Sequence, residues 1–187
     1  MTRRLTELAH EVVAGHVHAG DIVIDATMGN GHDTLFLAQL VGETGHVYAF
    51  DLQQQAIDQT RARLQMNGAA KQVTLIKGNH AEMARLLPAG IAGSVAAVMF
   101  NLGYLPGGDK SVTTTAESTL QALDASPELI RPGGLISLLI YVGHAGGMEE
   151  HQVITEWLEK AGGRVRWKHH NSSCAEHAPR LYTLVRS

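Results

Sequence analysis

Short apolar runs alternate with amphipathic stretches along almost the whole chain, the rhythm of strands followed by helices. Ile22–Val23–Ile24 ends on Asp25 and is followed by a glycine turn, then by the helically spaced Leu35, Phe36, Leu37 and Leu40. His46 to Phe50 ends on Asp51 and precedes a helix from Gln53 to Met66, which stops at Asn67-Gly68. Val73 to Ile76 leads through Gly78-Asn79-His80 into a short helix reaching Leu87. Val95 to Phe100 is apolar throughout, the pattern of a strand buried on both faces, and ends on Asn101. A glycine-rich loop over 102–110 precedes a helix from about Thr114 to Leu129, in which Pro127 predicts a kink or break near Ser126. Arg131-Pro132-Gly133-Gly134 turns into a strand from Leu135 to Tyr141, and a helix follows from Met148 to Lys160.

The two ends depart from this rhythm. Leu5, Leu8, Ala9, Val12 and Val13 predict an amphipathic helix over Leu5 to Val17, covering either the sheet edge or the mouth of a site. Val165 to Trp167 and Leu181 to Val185 are strand-like with no helix between them, so they pair as an antiparallel hairpin. Five strand–helix units and a terminal hairpin predict an α/β fold, a Rossmann-like doubly wound sheet of seven strands with one reversed. No linker, repeat or low-complexity segment interrupts residues 1–187, which are expected to form one domain.

In such a sheet a ligand lies over the carboxyl ends of the strands, beside the first one. The turn Asp25-Ala26-Thr27-Met28-Gly29-Asn30-Gly31-His32-Asp33-Thr34 sits there. Gly29 and Gly31 allow close approach of a nucleotide-like cofactor, but a dinucleotide fingerprint needs glycine where this chain has Thr34. That tilts the expectation from a nicotinamide cofactor to S-adenosylmethionine, the alternative being a turn with no ligand. Asp51 can accept both ribose hydroxyls, with Leu52 and Gln53 beside it, and Asn79 can read the adenine edge next to His80. Asp25 is placed for the methionine ammonium, while backbone N–H groups of the turn at Thr27, Gly29, Asn30 and Gly31 face the carboxylate. Asp33 and Thr34 either reinforce that pocket or cap the helix.

Asn101-Leu102-Gly103-Tyr104 follows the fourth strand, where methyltransferases acting on amino nitrogens carry an Asn-Pro-Pro-Tyr-like motif. The Asn101 side-chain oxygen and the Leu102 carbonyl can accept hydrogen bonds from a target nitrogen, aiming its lone pair along the line of transfer. Tyr104 can stack on a base; the other reading is a surface loop, since the prolines are absent. A neutral nucleophile is required, and His144, Tyr141 and Asp109 are candidates for taking the substrate proton. His169, His170, Cys174 and His177 fit no standard zinc spacing, so no metal is expected.

Composition changes this picture little. The chain is 44% hydrophobic and 18% charged, ordinary for a globular protein. No apolar run reaches membrane-spanning length, no signal-peptide core follows Met1, and Cys174 is the single cysteine, so a cytoplasmic protein with no internal disulfide is expected. A net charge of −3 does not advertise nucleic-acid binding. Arg164, Arg166, Lys168 and Arg180 form either a local basic patch or solvated strand faces.

Five segments together resemble one family along nearly the whole chain: DATMGNGHDT, the DLQ at Asp51, the GNH at Asn79, FNLGYLPGGDK and YVGHAGG. It is the small bacterial methyltransferase family formerly labelled rRNA methylase, now assigned as tRNA 5-(aminomethyl)-2-thiouridine methyltransferases. The resemblance implies a class I methyltransferase with strand order 3-2-1-4-5-7-6 and S-adenosylmethionine as cofactor. It also implies methylation of the aminomethyl nitrogen on the tRNA wobble uridine, binding of the anticodon region and a homodimer. Asn101, Tyr104 and His144 are the expected catalytic residues. The chain departs from the family in its C-terminal turn, where only Pro179 echoes an Asn-rich, Pro-Pro-containing pattern. Alternatives are an rRNA or small-molecule amine acceptor, or, in a different class, an NAD-dependent oxidoreductase.

Overall fold

The computed structural model describes residues 4–108, 113–143, 146–170 and 177–187. His144, Asp109 and Cys174 lie outside them. Seven strands form one sheet: β1 (Ile22–Asp25), β2 (His46–Asp51), β3 (Val73–Lys77), β4 (Val95–Leu102), β5 (Ile130–Ile140), β6 (Val165–His170) and β7 (Arg180–Arg186). Their order is β3-β2-β1-β4-β5-β7-β6, with β7 antiparallel to both neighbours and the pairs from β3 to β5 parallel. The helices are α1 (Leu5–Ala14), α2 (His32–Val41), α3 (Gln54–Met66), α4 (Met83–Leu86), α5 (Ala116–Leu129) and α6 (Gly147–Lys160). No helix among the described residues is long and apolar enough to cross a membrane.

The continuous apolar run of β4 is explained by its place in the sheet. Val95, Val98, Phe100 and Leu102 join the core beneath α5 and α6, while Ala97 and Met99 face α2 and α3 with Leu37, Val41 and Leu64. Burial of each large side chain such as Phe100 contributes roughly 2 to 3 kcal/mol, so the centre of the sheet is the most rigid platform available for a site.

Three expectations about the elements change. The N-terminal helix ends at Ala14, where the His16 N–H closes on the Val13 carbonyl in a tighter i→i−3 turn that the Val17 N–H shares at i→i−4. α5 is not broken at Pro127 but runs on to Leu129, because the proline falls in the last turn and costs one hydrogen bond rather than a ladder. The expected turn at Arg131-Pro132-Gly133-Gly134 is instead a bulged beginning of β5, where the register against β4 shifts between Val95 and Ala97 and Gly133 adopts φ +74°.

Candidate active site

The carboxyl ends of β1 to β4 surround a cavity of about 680 Å³, the size of a site for a small organic ligand. The turn between β1 and α2 forms its floor. Gly29 and Gly31 take φ +50° and +77°, conformations that side-chain-bearing residues rarely adopt. α3 holds the turn from behind. The Thr60 hydroxyl donates to the Gly29 carbonyl at 3.0 Å, and Arg63 Nε donates to the Asn30 carbonyl at 2.8 Å. A Cβ on Gly31 would lie 2.7 to 2.9 Å from Thr60, so this glycine permits helix and turn to touch.

Asp25 does not face the cavity as expected. It is 1% exposed and lies behind the wall, accepting from the Thr34 hydroxyl at 2.6 Å and the Thr27 N–H at 3.2 Å. Thr34 and Gly31 are likewise set back from the cavity. The turn's N–H groups are also partly spent: Gly29 donates to Asp51 Oδ2 at 3.1 Å and Gly31 to the Met28 carbonyl. Thr27, Gly29, Asn30 and Asp33 do line the cavity.

Asp51 reaches the cavity from the end of β2, with Leu52 and Gln53 beside it. Its oxygens accept the backbone N–H groups of Gly29 and Gln53, and a carboxylate with about four lone-pair sites keeps acceptor capacity for a ligand. Asn79 Oδ1 caps the turn over His80–Glu82 by accepting from the Ala81 N–H, so its NH2 group is the end offered to a ligand. His80 is more than an N-cap neighbour. It is nearly buried, edge-on to Phe100, and its Nε2 has no partner among the described residues. Burial holds its imidazole down to about 4, neutral at any physiological pH.

The acceptor side is built on β4. The Asn101 N–H donates to Thr27 Oγ1 at 2.7 Å, tying the end of β4 to the glycine turn. Its side-chain Nδ2 donates to Asp33 Oδ2 at 2.8 Å, and its Oδ1 is buried without a partner among the described residues. Leu102 departs from expectation: it is fully buried and its carbonyl accepts from the Tyr141 N–H in the sheet, so it is not turned to a substrate. Tyr104 lines the cavity and is 44% exposed, open to stacking. Tyr141 also lines it, but burial and the negative charge of Asp33 push its phenol above the usual value, which makes it a hydrogen-bond donor rather than a base.

Two groups of lining residues escaped the sequence reading. Arg4, the N-cap of α1, and Thr6 and His10 within it bring the N-terminal helix over the cavity mouth; Thr6 and His10, four residues apart, form a stripe beside the Leu5/Ala9 face. Thr113, Thr114, Thr115 and Ser118 come from the entry to α5.

The electrostatics select among ligands. Asp25, Asp33 and Asp51 crowd one end, and burial together with the charge of Asp33 pushes the Asp25 carboxyl up to about 7. Burial raises Asp51 as well, against the hydrogen bonds that lower it. Such a cluster attracts a cationic ligand and repels a diphosphate. With the Gly29 and Gly31 N–H groups occupied, the turn offers the diphosphate of a nicotinamide dinucleotide fewer donors.

Sheet order, switch-point cavity and strand-end polar groups define the class I methyltransferase fold. A family model described as "Putative rRNA methylase" matches residues 47–185, and the chain belongs to that family. An Arabidopsis thaliana protein named tRNA (mnm(5)s(2)U34)-methyltransferase, chloroplastic, is 44% identical over 160 residues; the match covers 81% of this chain and 58% of that protein's length. A crystal structure of a Clostridium thermocellum protein carrying the same rRNA-methylase description is 38% identical, with a TM-score of 0.93 over 100% of both chains. A Streptococcus mutans "putative methyltransferase", crystallised in complex with SAH, is 29% identical with a TM-score of 0.86, also over 100% of both chains.

Proposed function

We propose that this chain is an S-adenosylmethionine-dependent N-methyltransferase that acts on the aminomethyl nitrogen of 5-aminomethyl-2-thiouridine at the tRNA wobble position. The observation that carries the reading is the Asn101 oxygen, a buried acceptor held at the end of β4 with no partner among the described residues. A buried acceptor without a partner costs about 1 to 3 kcal/mol, which an N–H of an incoming amine recovers. The wobble substrate is supported by the name of the Arabidopsis relative.

The cavity residues fit the cofactor. Asp51 suits the ribose hydroxyls, the Asn79 NH2 and the His80 Nε2, which has no partner among the described residues, suit the base, and the Asp33 side of the carboxylate cluster suits the ammonium and sulfonium charges. When bound, S-adenosylmethionine supplies an electrophilic methyl group on a sulfonium. Asn101 orients the neutral amine so that its lone pair points along the carbon–sulfur axis, and Tyr104 stacks on the uracil ring. The neutral amine would take the methyl group to become a secondary ammonium, leaving the spent cofactor as a neutral thioether, so the balance needs no further proton transfer at this step. The same reading includes one catalytic domain over residues 1–187, working as a homodimer on the anticodon region in the cytoplasm.

Purified protein offered tRNA lacking the methyl group, rRNA and amine metabolites, each with labelled cofactor, tests the acceptor. Label confined to tRNA, recovered as the methylaminomethyl nucleoside, is the expected result. Label in rRNA or metabolites alone refutes the assignment.

A further inference from the structure

The N-terminal helix delivers a group to the acceptor side of the cavity. His10 Nε2 lies 2.6 Å from Asp33 Oδ1, 23 residues away in sequence. Its ring stacks on Phe36, centroids 3.9 Å apart and planes within 4°. The other oxygen of Asp33 accepts from Asn101 Nδ2 at 2.8 Å. Carboxylate oxygens only accept, so both neighbours must donate. The hydrogen is therefore on Nε2 of His10, and Asn101 turns its NH2 toward Asp33. This decides which end of the Asn101 amide is left over, namely the oxygen, which no other described residue bonds.

The position of His10 is itself set by packing. Leu5 and Ala9 of α1 are buried against Leu139 of β5 and Leu181 of β7, so the helix sits on the sheet rather than on the loop it covers. With both carboxylate oxygens engaged, Asp33 has one orientation. Removing the His10 bond frees one oxygen, lets the carboxylate rotate and loosens the amide that it holds.

We propose that His10 is a positioning residue for methyl transfer: the chain His10–Asp33–Asn101 aims the Asn101 oxygen at the acceptor nitrogen, so that turnover depends on α1. The inference rests on the amine-methyltransferase reading above. His10→Phe keeps the stacking on Phe36 but removes the donor, whereas His10→Gln places an amide NH2 within reach of Asp33.

Single-turnover transfer to tRNA lacking the methyl group is measured for both variants and for each in an Asn101→Ala background, with thermal melting to check the fold. The expected result is a loss of about 10- to 100-fold in the single-turnover rate for His10→Phe, the scale of a small misplacement of reacting groups. His10→Gln restores most of it, and His10→Phe adds nothing once Asn101 is alanine. Wild-type turnover in His10→Phe, an undiminished further loss on top of Asn101→Ala, or no recovery in a folded His10→Gln overturns the inference alone. Absence of transfer by the unmodified protein overturns the functional reading as well.

Discussion

The two sides of the cavity treat their polar groups in opposite ways. At the ends of β1 and β2 the carboxylates are supplied with partners by the protein itself: Asp25 by Thr27 and Thr34, Asp51 by the N–H groups of Gly29 and Gln53. At the end of β4, Asn101 keeps its nitrogen occupied, while its oxygen has no partner among the described residues. On the first, scaffold side the carboxylates brace the glycine turn while their charge shapes the field; on the second, the acceptor oxygen of Asn101 is left to a reactant. A buried polar atom left open in a well-bonded neighbourhood points to what the site receives.

The sharpest way to break this contrast is at Asn101. Asn101→Ala is expected to slow methyl transfer by about 10²- to 10³-fold, the cost of removing an oriented group at the reacting centre, with a smaller effect on cofactor affinity measured by calorimetry. Equal losses in both would place Asn101 on the scaffold side.

On that scaffold side, Gly31→Ala forces a positive φ on alanine and drives its Cβ against Thr60. A stability loss of about 2 kcal/mol or more is expected in denaturant unfolding. Because the Thr60 Cα is among the crowded atoms, a second change of Thr60→Ala should not fully restore it. Asp51→Ala comes next, weakening S-adenosylmethionine binding by about 1 to 3 kcal/mol. Unchanged affinity would show that Asp51 only braces the turn.

The smallest effects concern pH. Asp25 is raised from 3.8 to about 7, so the folded state keeps a proton that the unfolded chain releases, and this group lowers stability as the pH rises from about 4 to about 7. His80 is lowered from 6.5 to about 4, so it lowers stability as the pH falls from about 6.5 to about 4. The two slopes oppose each other over nearly the same window. Relative to the unmodified chain, Asp25→Asn should make stability rise more steeply with pH, and His80→Gln should make it fall, each by about 1 kcal/mol or more across the window. Slopes of the same sign in both variants would contradict the assigned environments.

The features visible in the sequence were those set by local pattern. The strands, the glycine turn and the polar residues closing β2, β3 and β4 follow from periodicity, and the strand order came through the family resemblance. What escaped were outcomes of long-range pairing. Asp25 faces inward because Thr34, nine residues on, captures it. Leu102 is closed to substrate because β5 brings the Tyr141 N–H alongside. His10 enters the site only because α1 packs on β5 and β7, a docking that no spacing within residues 5–14 announces. The candidates His144 and Asp109 lie outside the described residues.

The central claim is that the Asn101 oxygen awaits the aminomethyl nitrogen of the wobble nucleoside. Nucleoside mass spectrometry of tRNA from cells lacking this protein tests it most directly. The account predicts loss of methylaminomethyl-thiouridine with accumulation of its aminomethyl precursor, reversed by the wild-type chain and not by Asn101→Ala. An unchanged methylaminomethyl content in the deletion strain would contradict it.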